Sequence, residues 1–326
     1  MKALITTVPF GDKDRLPLDL LEKNGVEYLI NPLGRKLVES ELAEMVSDFD
    51  IIIAGTELIT DYVMERGKKL KIISRVGIGL DSVDLLAAER RGIKVSYTPD
   101  APAPAVAELT IGLMLSLIRS VQIANLKIHE GVWHRYFGTR LSESTIGIIG
   151  MGRIGSSVLR HLSGFNCKRI LINDIEEKIL IHNEVNVSLV SKEEIFKEAD
   201  VISLHVPLTS QTKSMINKKH LEMMKPNTVI INTARGGIIN EADLYDVMSA
   251  GHLSGAAIDV FEEEPYSGRL NELPNCLLTA HMGSMSIDCR TRMEIEATEE
   301  AIRFVTGEVL LGIVPESEYA VQREGL

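Results

Sequence analysis

Three residues stand where side chains could do chemistry. Arg235 follows a strand-like run in VIINTARGG, Glu264 in AAIDVFEEEP and His281 in LLTAHMGS. Ligands in open α/β sheets bind at the carboxyl ends of parallel strands, and these types together suit hydride transfer beside a carboxylate. The planar fork of an arginine pairs with a carboxylate through two hydrogen bonds. A histidine takes a hydroxyl proton during oxidation and returns it during reduction. A nearby glutamate can hold the imidazole, and the hydride itself is the work of a nicotinamide cofactor. Taken singly, Arg235 reads equally well as a surface cation and His281 as a loop histidine. Glu264 alone could be one charge in the acidic turn of Glu262, Glu263 and Glu264. All three, however, follow strands of one nucleotide-binding unit.

The cofactor that this chemistry requires has its own signal. TIGIIGMGRIG reads as a strand followed by Gly150, Gly152 and Gly155 in the spacing GxGxxG. The first glycine permits a tight turn, the second a close approach of pyrophosphate, and the third close packing of helix on strand. The pyrophosphate then meets unpaired N–H groups at a helix N-terminus. RILIND ends in Asp174, nineteen residues after Gly155. A carboxylate there accepts both adenosine ribose hydroxyls and repels a 2′-phosphate, which favours NAD over NADP.

The elements that must carry these residues alternate along the chain. Strand-like runs cover residues 2–7, 27–31, 50–53, 72–76 and 94–97, with a helix over 16–24 stopped by Gly25. Residues 98–105, TPDAPAPA, hold three prolines and cannot continue a helix or a central strand, so a domain crossing is placed there. One helix, apolar on most faces, is predicted over 106–130, to be buried between domains or between subunits. Further strands are expected at 145–149, 169–173, 201–205, 229–232, 256–260 and 276–279, and a final helix over 286–306. Such alternation implies α/β architecture with parallel sheets covered on both faces. The final helix is expected to return to the first domain. The predicted division is residues 1–100 with 287–326 as a substrate and catalytic domain, and 101–286 as the NAD-binding domain.

Composition bounds the alternatives. The chain has 326 residues, 45% hydrophobic and 25% charged, with a net charge of −11. Length and composition suit about two globular domains. Net acidity argues against a nucleic-acid partner, since phosphate neutralisation needs clustered Lys and Arg. Cys167, Cys276 and Cys289 form no CxxC pair and no metal-ligand pattern, so no metal site is expected. A sparse, odd set of cysteines suits a reducing compartment. The apolar run at 111–118 is far short of the ~20 residues that span a bilayer. No signal-peptide pattern opens the chain, and a cytoplasmic protein without membrane association is expected.

At this point the residues resemble the D-isomer-specific 2-hydroxyacid dehydrogenase family. The matching segments are RVGIGLDSVD, VAELTIGLML, GIIGMGRIG, SLHVPLT, NTARGGIIN, AIDVFEEEP and TAHMGS, in the family's order from about residue 75 to 284. The resemblance implies two doubly wound parallel-sheet domains, a Rossmann cofactor domain inserted in a flavodoxin-like substrate and catalytic domain. It implies Arg235, Glu264 and His281 as the catalytic trio. It implies that Gly77, Ile78 and Gly79 hold the substrate carboxylate through backbone N–H groups, with Arg235 and His281 also at the substrate. Around NAD it places Thr110 and Gly283 beside the nicotinamide, Arg153 and Ile154 at the pyrophosphate, and His205, Val206 and Pro207 along the adenosine. Thr233, Ala234 and Gly283 border the ribose and nicotinamide, Asp259 partners the nicotinamide carboxamide, and Arg235 and His281 also count among the NAD contacts.

Within the family, SRVGIGLDSVD and GVWHRYFGTRL resemble the 3-phosphoglycerate dehydrogenase branch. Arg75 and Arg135 match basic positions near a substrate phosphate, the latter reaching from a partner subunit. Ala54 departs from that branch, which commonly has arginine there. The expected function is therefore NAD-dependent interconversion of a small D-2-hydroxy acid and its 2-keto acid, with 3-phosphoglycerate as one candidate. The alternative is an NADH-binding regulator on the same fold without turnover. The apolar helix and Trp133 point to a homodimer.

Overall fold

The structure is a computed structural model that describes residues 1–176 and 186–324. The last two residues of the expected segment 287–326 lie outside that range. In chain order the first elements are β1 (Lys2–Ile5), α1 (Leu16–Lys23), β2 (Glu27–Ile30), α2 (Glu39–Met45) and β3 (Ile51–Ala54). They continue with α3 (Asp61–Arg66), β4 (Ile72–Arg75), α4 (Leu85–Arg90), β5 (Lys94–Ser96), α5 (Ala103–Ile118) and α6 (Val121–His129). Next come β6 (Thr145–Ile149), α7 (Arg153–Ser163), β7 (Arg169–Asn173), β8 (Val187–Leu189), α8 (Lys192–Glu198) and β9 (Val201–Leu204). The chain closes with α9 (Lys218–Met223), β10 (Val229–Asn232), α10 (Glu241–Ser249), β11 (Gly255–Ile258), β12 (Cys276–Leu278), α11 (Ile287–Thr306) and α12 (Glu316–Arg323).

The chain divides into two compact units. The first comprises Met1–Pro102 with Met285–Leu326, and the second Ala103–Ser284. The sheet of the first unit is parallel throughout, in the order β2-β1-β3-β4-β5. That is the flavodoxin-like order. Its inner strands are apolar on both faces, as a sheet covered on both sides requires: Ile51, Ile52 and Ile53 are all fully buried. Helix α11 packs onto this sheet through Met293, Ala297 and Ala301, and Ser74 of β4 donates its hydroxyl to the Ala297 carbonyl (2.7 Å). It ends at Gly307, whose φ of +75° is open to glycine at no steric cost.

The second unit holds a seven-stranded parallel sheet in the order β12-β11-β10-β9-β6-β7-β8. Strand order reverses between β6 and β9, the switch point where doubly wound sheets open a crevice for a ligand. The short edge strand β8 has no counterpart among the sequence expectations. Its three residues carry too little pattern to register.

The single helix expected over 106–130 is two helices. α5 and α6 meet at a bend of 63°. Ser120 adopts the left-handed conformation (φ +52°) and breaks the ladder. The Ile118 carbonyl, freed at the end of α5, accepts from the Thr139 N–H (3.2 Å). The two helices also differ in burial. α5 buries eight of its sixteen residues, whereas α6 buries none. Among the described residues, no single helix is long and apolar enough to cross a membrane.

Candidate active site

The second unit brings Arg235, Glu264 and His281 to the carboxyl ends of β10, β11 and β12, three neighbouring strands. His281 Nδ1 faces both oxygens of Glu264, at 2.9 and 3.1 Å. An ionised carboxylate only accepts hydrogen bonds, so Nδ1 is assigned the proton and Nε2 keeps a lone pair for a reacting hydroxyl. Both side chains are partly exposed.

The backbone around His281 is held in an uncommon state. Its φ is +48°, a region that few residues other than glycine occupy. Asp259, buried at the end of β11, enforces it. The Asp259 carbonyl accepts the His281 N–H (2.8 Å). Its Oδ1 accepts from the Thr279 hydroxyl (2.6 Å) and the Met282 N–H (2.9 Å), and its Oδ2 from the Gly283 N–H (2.9 Å). A strained residue persists only where its surroundings over-determine it, and here one carboxylate gathers three donors from the turn that carries the imidazole.

Glu264 is held in turn by the Phe261 N–H (3.2 Å). The same turn is pinned by Glu241, at the start of α10, which accepts from the Glu262 N–H (2.8 Å). Burial raises the Glu241 carboxyl above its ordinary pKa, and the neighbouring acids Glu262, Glu263 and Glu264 add to the effect. On the Arg235 side, Asn232 organises the turn. Its Oδ1 accepts from the Ala234 N–H (3.1 Å) and its Nδ2 donates to the Arg235 carbonyl (2.8 Å). Gly236 lies against the Glu264 turn so closely that an added Cβ would stand 2.0 Å from the Phe261 carbonyl.

The cofactor residues sit on the same unit. Gly150 has φ +96°, and a Cβ there would meet the His205 carbonyl at 2.4 Å across the switch point. A Cβ on Gly155 would stand 2.0 Å from the Gly150 carbonyl, so this glycine permits α7 to pack on β6. Gly152 differs from both. A Cβ there would meet nothing within 4 Å, which leaves a cradle over the N-terminus of α7 for a pyrophosphate. Arg153 begins that helix and is exposed, while Ile154 packs against the core. Asp174, just past β7, accepts from the Met151 N–H (2.5 Å) and the Glu176 N–H (2.9 Å), fixing its carboxylate beside the glycine turn. Glycine spacing, helix start and acid thus fit NAD.

His205 follows β9, and its Nε2 pairs with the Ser203 hydroxyl (2.9 Å). Among the described residues its Nδ1 is buried without a protein partner, and burial pushes the imidazole down to about 3. Val206 packs on the core and Pro207 is exposed. Thr110 of α5 is fully buried. Its hydroxyl meets the Val106 carbonyl (2.8 Å) and the Thr233 hydroxyl (2.9 Å), while Ala234 is part of the core. Arg135 lies on an exposed stretch of the second unit.

In the first unit, Gly77, Ile78 and Gly79 follow β4. Gly77 has φ +142°, and its N–H is taken by the Thr98 hydroxyl (2.8 Å). Among the described residues, no acceptor takes the N–H of Ile78 or Gly79. Arg75 is buried and turns its guanidinium onto the backbone. Nε and Nη2 donate to the Gly79 carbonyl (3.0 and 2.7 Å) and Nη1 to the Ala54 carbonyl (3.2 Å). Arg75 therefore shapes the loop at residues 77–79 from beneath.

Residue-level reasoning missed Asn232, Thr279, Glu241 and Thr98. Asn232 carries a legible signal, an Asx turn at a strand end. The others act through contacts between segments distant in sequence.

Residues 111–283 match the family model described as D-isomer specific 2-hydroxyacid dehydrogenase, NAD binding domain. A hydroxypyruvate reductase of Thermotoga maritima is 37% identical over 298 residues, covering 87% of this chain and 96% of the relative. A D-3-phosphoglycerate dehydrogenase of Methanocaldococcus jannaschii is also 37% identical, over 85% of this chain, but the match spans only 54% of that longer protein. Among solved structures, the TT0316 protein of Thermus thermophilus superposes with a TM-score of 0.88 at 35% identity, over 97% of this chain and 100% of that one. The chain belongs to the D-isomer-specific 2-hydroxyacid dehydrogenase family. It is an NAD-dependent oxidoreductase acting on a CH–OH group. These relatives lend no support to a regulator without turnover.

Proposed function

We propose that the protein interconverts a small D-2-hydroxy acid and its 2-keto acid, with Arg235, Glu264 and His281 as the catalytic residues. The observation that carries this reading is the pairing of His281 Nδ1 with Glu264 at a strand end. In oxidation, His281 Nε2 takes the hydroxyl proton while Glu264 holds the resulting imidazolium. In reduction the same nitrogen returns the proton to the developing alkoxide. Arg235 pairs with the substrate carboxylate, and the N–H groups of Ile78 and Gly79 are assigned to that carboxylate as well. The chemistry supplied from bound NAD is hydride exchange with carbon 2 of the substrate.

The second unit is assigned to NAD and the first to substrate. In the second unit, Gly150, Gly152, Arg153, Ile154 and Gly155 are assigned to the pyrophosphate side. Asp174, His205, Val206 and Pro207 take the adenosine side. Thr110, Thr233, Ala234, Asp259 and Gly283 take the nicotinamide side. The protein is proposed to act as a cytoplasmic homodimer. The exposed apolar side chains of α6 and the stretch after it, Trp133 and Phe137 above all, support the dimer.

NADH oxidation followed against glyoxylate, hydroxypyruvate, pyruvate and 3-phosphohydroxypyruvate tests the activity. Turnover with at least one of the four is expected. NADH binding without turnover on any of them would reject the reading.

A further inference from the structure

Resting on that reading, we infer that the substrate is an unphosphorylated 2-keto acid whose third carbon bears hydrogen or hydroxyl, and that Glu57 excludes a phosphate. The residues concerned all belong to the first unit. Strands β3 and β4 are neighbours, with Ala54 in register with Arg75. A substrate carboxylate held after β4, by Ile78 and Gly79, therefore places the rest of a short acid among adjacent strand ends, of which β3 is one. A phosphate recognised there would require outward-facing cations.

The end of β3 offers the opposite. Ala54 is fully buried and uncharged, and its carbonyl accepts from both the Val76 N–H (2.9 Å) and Arg75. Next to it stands Glu57, 1% exposed. Glu57 Oε1 accepts from the Gly55 N–H (2.9 Å) and from the Thr6 hydroxyl. Its other oxygen lies over Gly55, where an added Cβ would stand 2.9 Å from Glu57 Oε2 and 3.1 Å from Thr7 Oγ1.

Among the described residues, Arg75 and Arg290 reach this end of the sheet, and both donate to protein acceptors. Arg75 holds the Gly79 and Ala54 carbonyls. Arg290 of α11 donates to Thr7 Oγ1 (2.7 Å) and the Pro9 carbonyl (2.8 Å), and its Nε pairs with Glu294 (2.6 Å). A phosphate dianion here would face a buried carboxylate, and a like charge at short range in a partly desolvated site is strongly unfavourable. A hydrogen or hydroxyl brings no such conflict. Arg75 is thus a positioning residue for the carboxylate loop.

Steady-state kinetics on the intact protein with NADH test this. Wild-type kcat/KM for hydroxypyruvate or pyruvate should exceed that for 3-phosphohydroxypyruvate at least about a hundredfold. In Glu57→Gln the ratio of kcat/KM for 3-phosphohydroxypyruvate to that for hydroxypyruvate should rise about tenfold. This ratio is independent of the fraction of active enzyme. Arg75→Lys should lower kcat/KM for all acids alike. Turnover led by the phosphorylated acid, including any preference conferred by Arg135, would overturn this inference alone, as would an unchanged ratio in Glu57→Gln. A loss in Arg75→Lys confined to the phosphorylated acid would overturn it too. No turnover on any acid would overturn the proposed function and this inference together.

Discussion

At the scale of single residues, the imidazole of His281 works only if its turn is held in place. The Asp259 carboxylate holds that turn, and the Thr279 hydroxyl is the contact most cleanly removed. Thr279→Val keeps the shape and deletes one hydrogen bond to a charged group, a loss of about 1.5–3 kcal/mol. The expected result is a fall of about tenfold in kcat, with recovery in Thr279→Ser. Equal kcat in the Val and wild-type proteins would show that His281 needs no such support. The catalytic trio is legible because each member closes a strand-like run and each type has a distinct chemical use. Asn232 shows only the general signal of an Asx turn, and Thr279 does not stand out at all, since its role depends on a contact with Asp259 from a segment distant in sequence. Arg75 illustrates a different limit. Its charge and position are plain in the sequence, but that its guanidinium faces inward onto carbonyls follows only from the folded chain.

At the scale of elements, close backbone approach ties the loops together. Gly236 joins the Arg235 turn to the Glu264 turn with no room for a methyl group. Gly236→Ala should therefore separate the two turns. The expected cost is about 1–3 kcal/mol in stability, as for other overpacked sites, read as a lower Tm, together with at least a tenfold loss in kcat. Wild-type Tm and kcat in this variant would contradict the packing argument. Apart from β8, the strands are legible in the sequence to within a residue or two, because buried parallel strands are short apolar runs bounded by turn residues. Residues 106–130 read as one continuous helix because both halves are apolar. The break depends on a left-handed Ser120, which hydrophobic pattern does not encode.

At the scale of the whole molecule, the two parallel sheets follow from alternating strand and helix signals. Strand order, by contrast, is invisible to periodicity and rests on family resemblance alone. The exposed surface of α6 and the segment after it make an assembly prediction. Trp133 is 83% exposed and Phe137 fully so, with Val121, Leu126 and Ile128 beside them in the chain. Light scattering after size exclusion should give a dimer for the wild-type protein and a monomer for a Trp133→Asp, Phe137→Asp double variant. A wild-type monomer would remove the case for a two-fold interface. His281, paired with Glu264, is proposed to move the substrate proton while NAD affinity is set mainly by other residues. His281→Asn tests this most directly, with NADH affinity by fluorescence titration and kcat measured on the same preparation. A Kd for NADH close to wild type and a kcat lower by about 10²–10⁴ are expected; a kcat within a few fold of wild type would refute this role for His281.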